Sequence, residues 1–182
     1  EYDCAPEEIF LEIDKLPVGS ASIAQVHKAK LKTGEIVAVK IRRENIEELM
    51  ARDAKLLKKV ISILRLNKIF GDIIDLTMVV DEMYESAKEE MNFHTEKQHI
   101  EEFLQNNKDI VYIKPLKVYS KYSTSNILVM EYIEGFKISE KEELVKAGYD
   151  LDEIAEKLAH NYLKQAIAVS YTHLTLPTIL RV

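Results

Sequence analysis

A single cysteine, Cys4, in 182 residues rules out an internal disulfide and a cysteine-rich metal site. That scarcity fits a reducing, cytoplasmic setting. No apolar run approaches the length of a membrane span, and the acidic start EYDCAPEEIF is unlike a signal peptide. A basic block is missing too: 25 Lys and Arg face 31 Asp and Glu, for a net charge of −6. Nucleic-acid binding needs a basic surface to neutralise phosphates, so no nucleic-acid partner is expected. Repeats and low-complexity segments are absent, and so is an initiator methionine, which predicts a fragment at that end. What is present is ordinary for a globular domain: 47% hydrophobic and 31% charged residues, in a chain long enough to bury a core.

The pattern predicts an α+β layout. Phe10 to Leu16 alternates and reads as a strand that Pro17 ends. Ser22 to Leu31 has the Ala, Gln and Lys content of a helix, yet Thr33-Gly34 follows it at once and Ile36 to Ile41 is β-branched. A tight Gly turn between the two runs makes them a hairpin. Ile46, Leu49, Met50, Leu56, Leu57, Val60, Ile61 and Leu64 recur at helical spacing, giving a helix over 46–66. A second helical region, broken once, is expected over 73–105. Two strands follow at 111–119 and 127–132, with Pro115 marking an edge or bulge in the first. Ser139-x-x-Glu142 reads as a capping box for a short helix that Gly148 closes, and Asp150 caps a last amphipathic helix. Together these predict a sheet of about five antiparallel strands with helices inserted after the third.

Residues two apart on a strand share a face, so Ala38 and Lys40 point one way and Val37, Val39 and Ile41 the other. If Ala24 and Val26 stack on that face, an apolar floor of Ala24, Val26 and Ala38 leads to one ammonium. Such a slot suits a purine with a phosphate tail. The small residues Gly19, Ser20, Ala21 and Ser22 would lie over the phosphates, because they allow close backbone approach and N–H donation. The competing reading of Lys40 is a solvated strand-end lysine. A carboxylate should orient the lysine. On a helix striped by Phe93, Ile100, Phe103 and Leu104, Glu96 lies roughly 40° from the stripe centre and Glu90 roughly 80° on the other side. Glu96 is therefore the inward candidate, against the usual solvated fate of helix glutamates.

Other chemistries find no support. His27, His94, His99, His160 and His173 have no partners at a recurrent metal spacing, so no metal site is expected within the chain. No Ser-His-Asp or Cys-His arrangement can be built from Cys4 and the scattered serines. Tyr112, Tyr119 and Tyr122 read as hairpin packing.

LPVGSASIAQVHKAKLKTGEIVAVKIRR resembles the Ala-rich nucleotide loop and lysine strand of the UbiB/AarF family of atypical protein-kinase-like proteins. EEMNFHTEKQ is similar to that family's E-x-D-[FY]-x-x-E segment, and NILVMEYIEG resembles its hinge. The resemblance runs from about Phe10 to Ala168. It implies a kinase-like amino-terminal lobe over 1–130, then the hinge and first helices of the next lobe over 131–168. It further implies that Lys40 is the ATP-phosphate lysine and Glu96 its helix partner. Glu90 matches the first acid of E-x-D, which in the family meets a lysine of an upstream K-x-G-Q motif. Met130 matches the gatekeeper, and Glu131, Tyr132 and Ile133 the adenine-contacting hinge. The implied cofactor is ATP or ADP, with Mg²⁺ in the full-length parent. The parent would be a kinase or ATPase supporting isoprenoid-quinone or other lipid metabolism, with a membrane surface or lipid as a further partner. The rival expectation is a folded interaction module that binds no nucleotide.

The chain departs from the family pattern in four places. Gly19 stands where many members carry alanine, Asn92 replaces the second acid of E-x-D, the K-x-G-Q segment is absent, and no H-x-D or D-x-G follows the hinge. Phosphoryl transfer needs metal ligands and an acid that places the nucleophile, so this chain alone is not expected to catalyse it. Finally, VSYTHLTLPT is the translation of GTC TCT TAT ACA CAT CTG ACG CTG CCG ACG, a common transposase-based sequencing adapter. Residues 169–182 are therefore expected to be a non-native tail.

Overall fold

The computed structural model describes residues 2, 5–64, 75–114 and 116–168, with side chains to Gln165. A short helix α1 (Pro6–Ile9) leads into β1 (Phe10–Ile13), β2 (Gly19–Ser20), β3 (Ala24–Leu31) and β4 (Ile36–Arg42). Helices α2 (Ile46–Ile63), α3 (Leu76–Glu90) and α4 (Phe93–Asn106) follow, then β5 (Ile127–Glu131), α5 (Lys141–Lys146) and α6 (Leu151–Ala168). The five strands form one antiparallel sheet in the order β1-β3-β4-β5, with β2 on the free part of β3's edge. Contacts divide the chain into two units, Glu1–Gln98 with Leu116–Glu131, and His99–Pro115 with Tyr132–Val182.

The expected hairpin forms. Gly34 has φ +103°, a conformation L side chains rarely adopt, and its N–H donates to the Leu31 carbonyl at 2.9 Å. The register it fixes puts Phe10, Ala29, Leu31, Val37, Val39 and Val129 into a core cluster, with Tyr119 and Tyr122 packed against it. Tyr112 is not part of that packing: it belongs to the second unit, where its hydroxyl lies 3.1 Å from His160 Nδ1.

Three expectations about elements are corrected. The fifth strand is β2, too short and too small in its side chains to show a period. Among the described residues of 111–119, the expected strand reduces to one bridge, Val118 to Met130, flanked by hydrogen bonds at Lys117 and Tyr119. Val111 is fully exposed, so its apolar character buries nothing, and a proline at 115 offers no N–H for a ladder. Nor does Ser139 open a capping box. Helix α5 begins at Lys141 without a side-chain cap, and the Glu140 carboxylate instead accepts from the Lys137 N–H at 2.8 Å. Gly148, at φ +87°, does close α5, and Asp150 does cap α6, accepting from the Asp152 N–H at 2.9 Å.

The helical region breaks at Met91-Asn92, and Asn92 Oδ1 accepts from the His94 N–H at 3.1 Å to start α4. Helix α3 starts likewise on Asp75, which accepts from Thr77 and Met78. Helices α2 and α3 are joined by the Lys58–Asp81 ion pair. Of the apolar stripe predicted over 46–66, only Ile46 and Ile61 are buried; Leu49, Leu56, Leu57, Val60 and Leu64 are exposed, as are Ile63 beside them and Met78 and Met83 on α3. In the second unit, buried Asn161 donates to buried Asn107 at 2.8 Å, tying α6 to the turn after α4. The expected tail at 169–182 lies outside the described residues, as do residues 65–66 and 73–74 of the expected helices. Among the described residues, no helix is long and apolar enough to cross a membrane.

Candidate functional site

Four strands line up one row of residues. Gly19 pairs with Val26, Val26 with Lys40, and Lys40 with Leu128. Directly opposed residues share a face, so Ala24, Val26, Ala38, Lys40, Leu128 and Met130 all lie on the side opposite the Val37, Val39 and Val129 core. Ala38 pairs with Met130 within this set. Ala24, Ala38, Leu128 and Met130 are buried, whereas Val26 and Lys40 are half-buried and the loop from Gly19 to Ser22 is exposed. Arg42 and Lys28, the partners of Ala24 and Ala38, share this face, and on it Lys40 sits where burial gives way to solvent.

Lys40 Nζ lies 2.6 Å from Glu96 Oε2, with side chains 22% and 29% exposed. Glu96 is in the first turn of α4, where the unpaired N–H groups of a helix favour a carboxylate. The same ammonium stands 4.8 Å from the centroid of the Phe93 ring, a cation–π contact. Phe93 is itself fully buried, and its N–H donates to the Ser125 carbonyl at 3.0 Å, which pins the start of α4 to the turn before β5. Arg42, on the strand that carries Lys40, donates from Nη1 to the Met91 carbonyl at 3.4 Å. Lys40 and Arg42 thus both reach the start of α4 from β4. At this partial exposure the Lys40–Glu96 pair contributes only about 1 kcal/mol to stability. Its stronger effect is to hold an ammonium extended and oriented beside a loop of small residues.

The loop is tied down at several points. Val18 N–H donates to the Val26 carbonyl at 2.8 Å and Ala21 N–H to the Ala24 carbonyl at 2.9 Å. A Cβ built on Gly19 meets nothing within 4 Å.

A protein-family model described as the ABC1 atypical kinase-like domain matches residues 1–175. The chain belongs to the ABC1 family. It is 32% identical over 173 residues to AarF domain-containing kinase 1 of Drosophila melanogaster, covering 95% of this chain and 33% of that protein. It is 39% identical over 173 residues to an uncharacterized protein in the hydrogenase 1 5′ region of Clostridium pasteurianum, covering 95% of this chain and 32% of the relative. Among solved structures, the complex of Rv3197 with erythromycin from Mycobacterium tuberculosis matches with a TM-score of 0.58 and 30% identity, over 74% of this chain and 33% of that one. The chain spans about a third of the length of these relatives. The fold is accordingly the open five-stranded sheet with helices of a kinase-like amino-terminal lobe.

Within this ABC1 domain the structure gathers Gly19, Ala24, Val26, Ala38, Lys40, Met130 and Glu96 on one face of the sheet, with Ser20 next to Gly19 in β2 and Ala21 and Ser22 in the loop that follows. Glu131 alternates to the other face, opposite Val37, and its N–H donates to the Lys117 carbonyl at 2.8 Å. Tyr132 and Ile133 fall in the second unit. Glu90 is not brought to the lysine. It ends α3 as an exposed residue beside Met83, Ser86 and Ala87, on a different helix from Glu96. The angular comparison of the two glutamates assumes one continuous helix, and the break at Met91-Asn92 removes that premise. The sequence pattern names Phe93 only as part of an apolar stripe, not as the ring beneath the ammonium, and it does not flag the arginines that follow Lys40. For Phe93, the i,i+3 spacing to Glu96 carries the signal.

Proposed function

We propose that this chain is the nucleotide-holding portion of an ABC1-family kinase-like protein. ATP or ADP would lie with its phosphates between the Lys40 ammonium and the loop from Gly19 to Ser22. Its base would lie against the Val26–Ala38–Met130 side, toward the hinge that begins at Glu131. The observation that supports this most is the 2.6 Å Lys40–Glu96 pair, in the same cross-strand row as Gly19 and Val26. Glu96 orients the ammonium without withdrawing it from solvent, so a phosphate oxygen can share it. The exposed loop offers small side chains and backbone N–H groups to the same anion.

A bound nucleotide would bring the transferable phosphoryl group; the residues of this chain hold and orient its phosphate tail. Among the described residues, no three His, Cys, Asp or Glu side chains gather as a metal cradle would require. Phosphotransferase or ATPase activity is proposed for the longer protein, of which this chain spans about a third, and a place in isoprenoid-quinone or lipid metabolism at a membrane surface rests on the family resemblance. A second reading, an interaction module without nucleotide, draws on the exposed apolar residues of α2 and α3. Thermal unfolding separates the two. ATP or ADP at a hundred times its dissociation constant should add about 2.7 kcal/mol of stability. A chain that melts identically with ATP and ADP, with or without Mg²⁺, would leave the module reading standing.

A further inference from the structure

We infer that Arg43 is a positioning residue, a side-chain strap that fastens the small-residue loop to the end of the lysine strand. Its bearing on nucleotide binding rests on the function proposed above; the strap itself does not. Arg43 follows β4 directly, and its backbone N–H donates to the Ile23 carbonyl at 2.8 Å. Its side chain then turns back along the loop. Nε donates to the Ala21 carbonyl at 3.0 Å, and Nη2 donates to Ser20 Oγ at 2.7 Å. Ala21 also donates to the Ala24 carbonyl, so both polar groups of its backbone are engaged. The loop from Gly19 to Ser22 is exposed throughout, and no neighbouring atom crowds Gly19. Apolar packing therefore does little to fix the loop, and directed hydrogen bonds carry that task.

Arginine suits this task for a geometric reason. Nε and Nη2 form one edge of a planar fork and reach two acceptors at once; a lysine ammonium is a point donor on a flexible stem. The fork also sets the polarity of Ser20. A hydroxyl that accepts from Nη2 keeps its own proton to donate elsewhere, and the oxyanion of a phosphate is the acceptor it would serve. Finally, Arg43 and Lys40 leave the same stretch of chain three residues apart, so the strap keys the loop to the strand that carries the ammonium. Loop position and lysine position are then set by one rigid element.

The test uses the full chain as wild type, Arg43→Ala, Arg43→Lys and Ser20→Ala. The first measurement needs no nucleotide: amide hydrogen exchange at Ala21 and at residue 43, beside the melting temperature. Arg43→Ala should speed exchange at both amides roughly tenfold, as expected for removing hydrogen bonds of ordinary strength, while exchange in β4 and β5 and the melting temperature stay put. Arg43→Lys should restore only part of the protection. Unchanged exchange at Ala21 in Arg43→Ala overturns the strap. The second measurement compares ATP with adenosine, which lacks the phosphates. Arg43→Ala and Ser20→Ala should weaken ATP severalfold and leave adenosine alone. If wild type binds ATP and Arg43→Ala binds it equally well, the proposal fails even where exchange has quickened. If wild type binds no nucleotide at all, the proposed function fails, and the exchange result decides the strap by itself.

Discussion

The two faces of the sheet are built on one hydrogen-bond ladder and differ in how they treat charge at their centre. On one face Leu31, Val37, Val39 and Val129 are sealed, each 2% exposed or less, with no charge among them. The other face is nearly as well buried at Ala24, Ala38, Leu128 and Met130, yet Lys40 interrupts it where the small-residue loop begins. An ammonium can stand there because three features receive it: the Glu96 carboxylate, the face of the Phe93 ring, and access to solvent. Burying it without them would cost several kcal/mol. The difference teaches that an ammonium is admitted to a well-buried face only where a carboxylate, an aromatic ring and solvent meet it. The nucleotide site proposed above lies on this face, at the lysine and its carboxylate.

The largest effects should come from the apolar members of both faces alike. Phe93→Ala removes a fully buried ring from beneath the ammonium and should cost about 3–5 kcal/mol; Leu31→Ala on the core face should cost about 2–5 kcal/mol. Denaturant unfolding of the two variants would break the comparison if Phe93→Ala proved nearly free, because the lysine face would then contribute little to folding. Next, Glu96→Ala should cost only about 1 kcal/mol, since its partly exposed partner can turn to water. A loss beyond about 3 kcal/mol would show Lys40 to be far more deeply desolvated than its geometry indicates. Gly19→Ala should be tolerated and even stabilising by about 0.4–1 kcal/mol, because the position has room for a methyl and the unfolded chain loses freedom. A destabilised Gly19→Ala would mean that the loop adopts a backbone only glycine permits.

The smallest effect concerns acid. In the β3–β4 turn, a hydrogen bond from Thr33 holds the Glu35 carboxyl below its ordinary value, assisted by the Glu35 backbone and the Lys117 charge. A carboxyl depressed in the folded state contributes stability above its unfolded value of about 4.5, and that contribution fades as pH falls through the folded value. Thr33→Val should therefore lower the melting temperature slightly at neutral pH and leave it unchanged at strongly acid pH. A difference of equal size at both extremes would remove the assigned cause.

Much of this contrast is legible in the residues. Alternation over Ile36 to Ile41, closed by Gly34, sets the hairpin register and with it the face of Lys40, because a period of two leaves no freedom once one face is buried. Asp150 is legible as a cap for the same local reason. The Asn92 departure has a plain structural account: it starts α4 with a side-chain oxygen, a task at which Asn and Asp are about equal. What stays hidden depends on distant partners. Periodicity on α2 predicts the helix but not that Leu56, Val60 and Ile63 are exposed, since the period shows which residues share a face and not what covers it. Arg43 reaches residues 22 and 23 positions earlier in the chain through one side chain, a contact with no periodic signature. The bridge at Val118 shows the reverse error, an apolar stretch with strand composition whose backbone pairs at one point.

The central claim is that Lys40 is placed for a phosphate anion and not for stability. Calorimetric titration of ATP into wild type and Lys40→Ala, with the melting temperature of each measured alongside, tests it most directly. Wild type should bind ATP, and Lys40→Ala should lose at least about tenfold in affinity, as expected for removing a charged hydrogen bond, while melting within a few degrees of wild type. Equal ATP affinity in the two proteins, or a Lys40→Ala chain that fails to fold, would contradict the account.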